Sequence, residues 1–283
     1  MSTSPIDNVA VLGLGLMGGS LAAAFSGHTI GYARRRDTLD AALMRDIIDE
    51  AVTRPEAAVK DADLVVICTP ILAIPEMLAQ IRDHLKPGAI VTDVGSTKSV
   101  VQKEGERILE GSGAKFVGSH PMCGSDQVGL DSVIPHLYDG ARVVVMDVDG
   151  SDSVSAFWMN LGSEVLVMNP DLHDELVAAS SHLPHMAAVA IVQAVAAGGD
   201  LDAVGELCGT GFRDTTRVAN GSADVWRDIV QTNAGPVGEQ LKLLRDKIDA
   251  MITLMDEERF DGLAHDLRDA AELRNRLLGK ENG

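Results

Sequence analysis

The chain carries little that would brace it covalently or seat it in a lipid bilayer. Its three cysteines, Cys68, Cys123 and Cys208, are scattered through 283 residues without a C-x-x-C pair. That sparse, odd set excludes a disulfide framework and suits reduced thiols in the cytoplasm. No apolar run is read as long enough to span a membrane. The opening "MSTSPIDNVAVLG" lacks a basic region followed by a leader-like apolar core, so a soluble cytoplasmic protein is expected. Positive charge is also scarce. With 24 Lys and Arg against 42 Asp and Glu, the net charge of −18 argues against nucleic acid or an anionic membrane as the main partner. Any anionic ligand needs its own basic pocket within that acidic field. What the chain has in quantity is apolar surface, at 46% hydrophobic residues, enough for a substantial core in one large domain or two ordinary ones.

The first part of the chain alternates short apolar strands with helical segments. Strands are expected at 8–15, 28–33, 63–70, 89–94, 115–120, 141–147 and 164–169. Strands that are apolar throughout, with helices between them, imply a mostly parallel sheet covered on both faces, the α/β class. After Pro170 the pattern becomes helical. Residues 170–199 read as one long Ala-rich helix bent at Pro184, where proline removes a hydrogen bond, and further helices are expected near 222–232, 236–256 and 259–279. The expected domains are 1–169 and 170–283. An alanine-rich helical domain with few aromatics buries itself poorly in about 110 residues. Pairing with a second copy is therefore expected, the alternative being a monomer whose helices fold back on the sheet.

"GLGLMGGS" contains Gly13-x-Gly15-x-x-Gly18, with Leu16 and Met17 inside it, between an apolar strand and a helix. Gly13 permits a tight turn, Gly15 lets a pyrophosphate approach the backbone, and Gly18 lets helix and strand pack closely. Thr69 and Pro70, which close "DLVVICTP", are the other expected coenzyme neighbours. NAD binders usually carry an acid at the end of the second strand. Here "GYARRRD" supplies Ala33, then Arg34, Arg35 and Arg36, groups that pair with a phosphate, so NADP is expected. The alternative is NAD, with Asp37 in the acid's role and the arginines in water.

Two polar residues stand where strands run out towards that turn: Ser96 in "TDVGSTKS" and His120 in "VGSHPMCGSD". Substrate oxidation by hydride loss from a carbinol needs a proton acceptor, and an imidazole suits it. Taken alone, His120 would more often be a structural histidine; its place beside a nucleotide site favours the functional reading. His182 and His185, three apart in "SHLPHMA", share a helix face. They are read as lining a substrate pocket, or one of them as core, and no zinc site is expected because no cysteine or acid completes one. In "CGTGFRDTTR", Arg213 and Arg217 sit in a Gly-rich turn before a helix. They either hold a carboxylate together, or one braces the loop through an ion pair while the other is surface.

In combination, "GLGLMGGSLA", "DVGSTKS", "GSHPMCGSD", "HDELVAASSHLPHM" and "GTGFRDTTRVA" resemble the prephenate/arogenate dehydrogenase family of tyrosine biosynthesis, in that family's order and across nearly the whole chain. The resemblance implies a Rossmann-type, doubly wound N-terminal domain and an all-α domain that makes a homodimer through intertwined helices. It implies oxidative decarboxylation of a cyclohexadienyl substrate, prephenate or arogenate, with hydride transfer to NADP or NAD. Carried over residue by residue, His120 is the base and Ser96 orients the substrate hydroxyl. Arg217 holds a substrate carboxylate, His185 and His182 line the pocket, and Arg213 braces the loop. Trp226 is expected at the pocket edge or against a neighbouring subunit. Asp126 stands where the family usually has Glu, and Cys123 stands where the residue is often small, so the thiol is taken as packing. A monofunctional enzyme is expected, with no fused mutase or regulatory domain. Two alternatives remain: another two-domain hydroxyacid dehydrogenase, with Lys242 as its helix-borne lysine, and a non-catalytic NADP sensor.

Overall fold

A computed structural model describes residues 6–124, 127 and 129–279. The first half runs β1 (Asn8–Leu12), α1 (Leu16–Ala24), β2 (His28–Tyr32), α2 (Arg36–Met44), β3 (Glu50–Val52), α3 (Pro55–Ala58), β4 (Leu64–Ile67), α4 (Ile74–Ile81), β5 (Ile90–Asp93), α5 (Ser99–Leu109) and β6 (Lys115–Phe116). These six strands form one parallel sheet in the order β3-β2-β1-β4-β5-β6. Alternation along the central strands sends side chains to two cores. Val9, Val11, Leu64 and Val66 pack with Leu21 and Leu39 of α1 and α2. Ala10, Leu12, Val65 and Ile67 pack with Leu78 and Val101 of α4 and α5. Helices on both faces explain why β1 and β4 read as unbroken apolar runs.

The chain then leaves this sheet. Residues 115–120, expected as one strand, are two. Lys115 and Phe116 pair with β5, and Ser119–Pro121 form β7 in a second sheet with β8 (Arg142–Met146) and β9 (Glu164–Met168). Val117 N–H still bonds Val91 of the first sheet, whereas the Gly118 carbonyl accepts from Met146 N–H of the second. A Cβ at Gly118 would sit 3.0 Å from Gln102 Oε1 and 3.2 Å from Met146 Cγ, so the crossing point is closely packed and a side chain there would require these neighbours to shift. β7 runs antiparallel to β8, and β8 parallel to β9. The seven expected strands are thus nine among the described residues, in two sheets; β3, at three residues, was too short to read.

Helix α6 (Ser151–Asn160) joins β8 to β9, and α7 (Pro170–Val177) follows, capped by Asn169, whose Oδ1 accepts Asp171 N–H at 2.8 Å. The long helix expected over 170–199 is α7, a π turn at Ala178–His182 and α8 (Leu183–Ala197). The irregular turn falls just before Pro184, which has no N–H to continue the regular ladder. This whole stretch, Pro170–Ala197, has mean hydropathy 1.2 over its most apolar window. That corrects the expectation that no run reaches membrane-spanning length: by length and composition alone this one does. Its N-terminal turns nonetheless carry Asp171, His173, Asp174 and Glu175.

Helices α9 (Leu201–Leu207), α10 (Thr210–Thr216) and α11 (Ala223–Thr232) complete a compact unit that extends to residue 234. Residues 235–283 form a second unit, built on α12 (Ala234–Asp256) and α13 (Phe260–Leu277). In that unit α12 leaves Leu243, Ile248, Met251, Ile252 and Met255 exposed.

Candidate active site

The strand order reverses between β1 and β4, and in such sheets ligands bind beyond the strand ends at that point. Two cavities open there, of about 760 and about 740 Å³, sharing Gly15, Cys68, Thr69 and Pro70 in their walls. Gly13 sits at φ +112°, a left-handed conformation, and a Cβ there would lie 2.9 Å from the Cys68 carbonyl. At Gly18 a Cβ would lie 1.9 Å from the Gly13 carbonyl. At Gly15, by contrast, a Cβ would meet nothing within 4 Å, because the residue faces the cavities. The turn is therefore closed towards the protein and open towards a ligand.

The first cavity lies beside the end of β2. Arg34 and Arg35 line it with Tyr32, Thr38 and one acid, Glu76. Arg35 is ion-paired with Asp37, and Arg36, outside the lining, pairs with Asp40 at 2.9 Å. Arg34 makes no ion pair among the described residues.

The second cavity gathers Leu16 and Met17 from the glycine turn, Ser96, His120 and Cys123, and Asp224, Arg227 and Asp228 from α11. Ser96 lies on a loop tied down on both sides. Before it, Gly95 N–H donates to Asp93 Oδ2 at 2.8 Å; after it, Thr97 Oγ1 meets Thr232 Oγ1 of α11 at 2.8 Å. Lys98 and Asp93, both fully buried, form an ion pair, and Lys98 Nζ also donates to the Ser119 carbonyl at 2.9 Å. Burial pushes the Lys98 ammonium down from its usual range, and the Asp93 charge opposes that. His120, expected just past a strand end, is instead the central residue of β7, paired with Val144. It is 9% exposed and sits on the cavity wall. Its pKa is held well below the usual imidazole range by burial, with His173, Lys98 and His182 adding to the effect, so the ring is neutral and able to accept a proton. Burial pushes the Cys123 thiol up to about 11, which leaves no thiolate at neutral pH.

Of the other expected residues, His182, His185, Arg213, Arg217 and Trp226 are not among those lining either cavity. His185 stacks on Trp226 with ring centres 3.4 Å apart, and both its ring nitrogens lack a partner among the described residues. His182 meets the same Trp226 edge-on, and its Nδ1 accepts from Asn233 Nδ2 at 3.2 Å. Arg213 is exposed within α10 itself, not in the turn expected there, and Arg217, also exposed, opens the 3₁₀ turn at Arg217–Asn220. Asp126 lies outside the described residues. Two residues of the site were not anticipated. His173, 1% exposed, hydrogen-bonds His120. Arg227 brings a guanidinium to the cavity, partnered by Asp228 at 2.7 Å and Asp224 at 3.1 Å. His173 had a signal in the "HDELVAASSHLPH" segment; Arg227 among acids looks like ordinary helix-surface charge.

Comparison with known proteins bears on this arrangement. The family model for the nucleotide-binding domain of prephenate dehydrogenase matches residues 20–167, and that for its dimerization domain matches 169–269. The chain belongs to the prephenate dehydrogenase family. Among its relatives, the prephenate dehydrogenase of Bacillus subtilis is 29% identical over 98% of this chain and 78% of its own length. The structure of Synechocystis arogenate dehydrogenase is 30% identical, with a TM-score of 0.85 over 95% of this chain and 99% of that one. Prephenate dehydrogenase from A. aeolicus, solved in complex with hydroxyphenyl propionate and NAD+, is 29% identical, with a TM-score of 0.89 over 98% and 100%.

The buried rings give the family fold here a pH-dependent stability. Burial lowers His120, His185 and His182, the last to about 4. In the unfolded chain they take up protons below pH ~6.5, whereas the folded chain resists until lower pH. The unfolded state thus binds more protons in that window, and stability falls as pH drops through it. The urea midpoint should be lower at pH 5 than at pH 7; an equal or higher midpoint at pH 5 would contradict this account.

Proposed function

We propose that the protein catalyses oxidative decarboxylation of a cyclohexadienyl substrate, prephenate or arogenate, with NADP preferred over NAD as hydride acceptor. The observation that carries this reading is the single cavity that holds Ser96 and a neutral His120 beside an open glycine turn. His120 takes the proton of the ring hydroxyl, and the Ser96 hydroxyl holds the same group in line. When bound, a nicotinamide dinucleotide supplies the hydride acceptor. Gly13, Gly15 and Gly18 shape its pyrophosphate seat, and Thr69 and Pro70 flank it. Loss of carbon dioxide with aromatisation drives the reaction downhill, so the chain's task is to position, deprotonate and grip an anion. Arg217 is assigned the substrate carboxylate, and His182, His185 and Trp226 its surroundings, although all four lie outside the lining of the cavity that holds His120; Arg213, exposed in α10 with no ion pair among the described residues, keeps no bracing role. A cytoplasmic homodimer belongs to the same reading: the match to a dimerization domain and the exposed apolar residues of α12 support the dimer. The 1–169 and 170–283 division remains the proposed functional one, supported by where the two family models meet.

Incubation with each dinucleotide and with prephenate or arogenate, followed by absorbance of the reduced coenzyme, tests the reading directly. Turnover with neither substrate rejects it and leaves a hydroxyacid dehydrogenase or an NADP sensor. His120→Asn should cut kcat by about 10²–10⁴-fold while dinucleotide binding is retained, and near-normal turnover would remove His120 from the chemistry. Arg217→Ala should raise KM by about 1.5–3 kcal/mol, the worth of a charged hydrogen bond. A larger rise for Arg227→Ala would transfer the carboxylate to the arginine that lines the cavity.

Arg34, without an ion-pair partner among the described residues, and Arg35 support NADP. Neutral replacement of both should raise KM for NADP at least about tenfold relative to NAD, because the 2′-phosphate loses its charged donors. Equal effects on the two coenzymes would return the preference to NAD.

A further inference from the structure

His120 is the visible end of a hydrogen-bonded chain. Its Nδ1 lies 2.9 Å from Nε2 of His173, and Nδ1 of His173 lies 2.8 Å from Oδ1 of Asp174. The carboxylate sets the direction of every bond. Asp174 also accepts the Lys98 and Ser99 N–H groups at 2.7 and 2.9 Å. Burial opposes its charge, but these donors together with His173 hold its carboxyl below the usual carboxylate range. An ionised carboxylate only accepts, so the proton between them sits on His173 Nδ1. His173 Nε2 then has only a lone pair, and His120 must donate to it through Nδ1–H. The nitrogen of His120 left basic is Nε2.

His173 and Asp174, 1% and 2% exposed, are not part of the cavity wall, whereas His120 is. We propose that His173 and Asp174 are a positioning dyad for His120: they impose the tautomer whose Nε2 accepts the substrate proton and share the charge that follows. The inference rests on the base role assigned to His120 in the proposed reaction. When the substrate O–H bond breaks and its proton moves to Nε2, the ring becomes an imidazolium in a buried place. His120 is faced by Lys98 at the head of α5 with its partner Asp93, by His182 from the π turn, by His173 from α7, and around the cavity by Cys123, Asp224, Arg227 and Asp228. Of the acids among these described residues, only Asp174 connects to the ring through an unbroken chain of hydrogen bonds. No proton has to leave either histidine. Both Nδ1–H bonds strengthen as the positive charge spreads towards Asp174.

Two measurements test the dyad. Nitrogen–proton correlation spectra of the wild-type histidines, assigned with His120→Asn and His173→Gln, should show both rings as Nδ1–H tautomers at neutral pH. An Nε2–H tautomer at His120 overturns the proposal, whether or not the protein turns over prephenate. Asp174→Asn and His173→Gln, assayed with prephenate and arogenate, should each lower kcat by about 10²–10⁴-fold with unchanged dinucleotide Kd. The acid limb of their kcat profiles should also move to lower pH, because the imidazolium has lost its counter-charge. His173→Gln leaves the Asp174 bonds to Lys98 and Ser99 in place, so it separates charge sharing from folding. A loss confined to Asp174→Asn, or losses in both with the acid limb unmoved, marks a structural role and overturns the dyad. If the wild type turns over neither substrate, the reaction proposed above fails, and the tautomer measurement alone decides the dyad.

Discussion

Two buried carboxylates, converging on one lysine residue, hold together the cavity that carries Ser96 and His120. Asp93 closes β5 and pairs with the Lys98 ammonium; Asp174, on α7, accepts the Lys98 backbone N–H. A carboxylate removed from water costs several kcal/mol unless its partners are well placed, and losing one partner leaves the charge stranded. These two are well supplied. Asp93 also accepts Gly95 N–H and Ser119 N–H, and Asp174 accepts Ser99 N–H and His173 Nδ1–H. The loop with Ser96, the strand with His120 and the helix with His173 are therefore fixed by one network. None of the three can shift without exposing a charge to an apolar surround.

That network explains how a nucleotide-binding fold brings an imidazole to the reversal point of its sheet. The parallel sheet delivers Gly13–Gly15 and Thr69–Pro70 to the reversal point but ends its own strands there. The imidazole comes instead from a second, three-stranded sheet, entered through the tight crossing at Gly118. Trp158 anchors that crossing by donating to Ser119 Oγ at 3.0 Å, and the Ser119 hydroxyl in turn donates to the Asp93 carbonyl at 2.6 Å. A side chain on a hydrogen-bonded strand is held more closely than one on a free loop.

Much of this was legible from residue pattern alone, and the rest was hidden for identifiable reasons. The central strands could be read because both faces of β1 and β4 are buried, and the glycine turn because its strand and helix flanks are local. The split of 115–120 between two sheets depends on what Gln102 and Met146 press against Gly118, a tertiary fact with no local signature. β3 has three residues and no period. Ser96 follows an apolar run as expected, whereas His120 reaches the same cavity from inside β7 and not from past a strand end. His173 was passed over despite its place in the "HDELVAASSHLPH" segment, because an adjacent His–Asp pair opening a helix is usually a solvated turn, and only the packing of α7 against the head of α5 buries it. Arg227 was missed for the opposite reason: its neighbours Asp224 and Asp228 already explain it as a surface ion pair.

The acidic character of the chain and the anionic nature of its proposed ligands are reconciled by distance. At physiological salt, exposed charges separated by more than about 8 Å are largely screened, so the overall −18 acts weakly on a ligand already in a cleft. What a phosphate or carboxylate meets there is the local set. At the nucleotide end that set is Arg34 and Arg35, the second partly neutralised by Asp37. At the chemical end it is Arg227, already shared between two aspartates, beside a neutral imidazole and a hydroxyl. An arginine committed to two carboxylates has little charge left for a third, so this cavity wall alone grips an anionic substrate weakly. Arg217, exposed and not committed to an acid among the described residues, is not part of that wall, and it is the proposed reaction that assigns it the anion Arg227 is poorly free to hold.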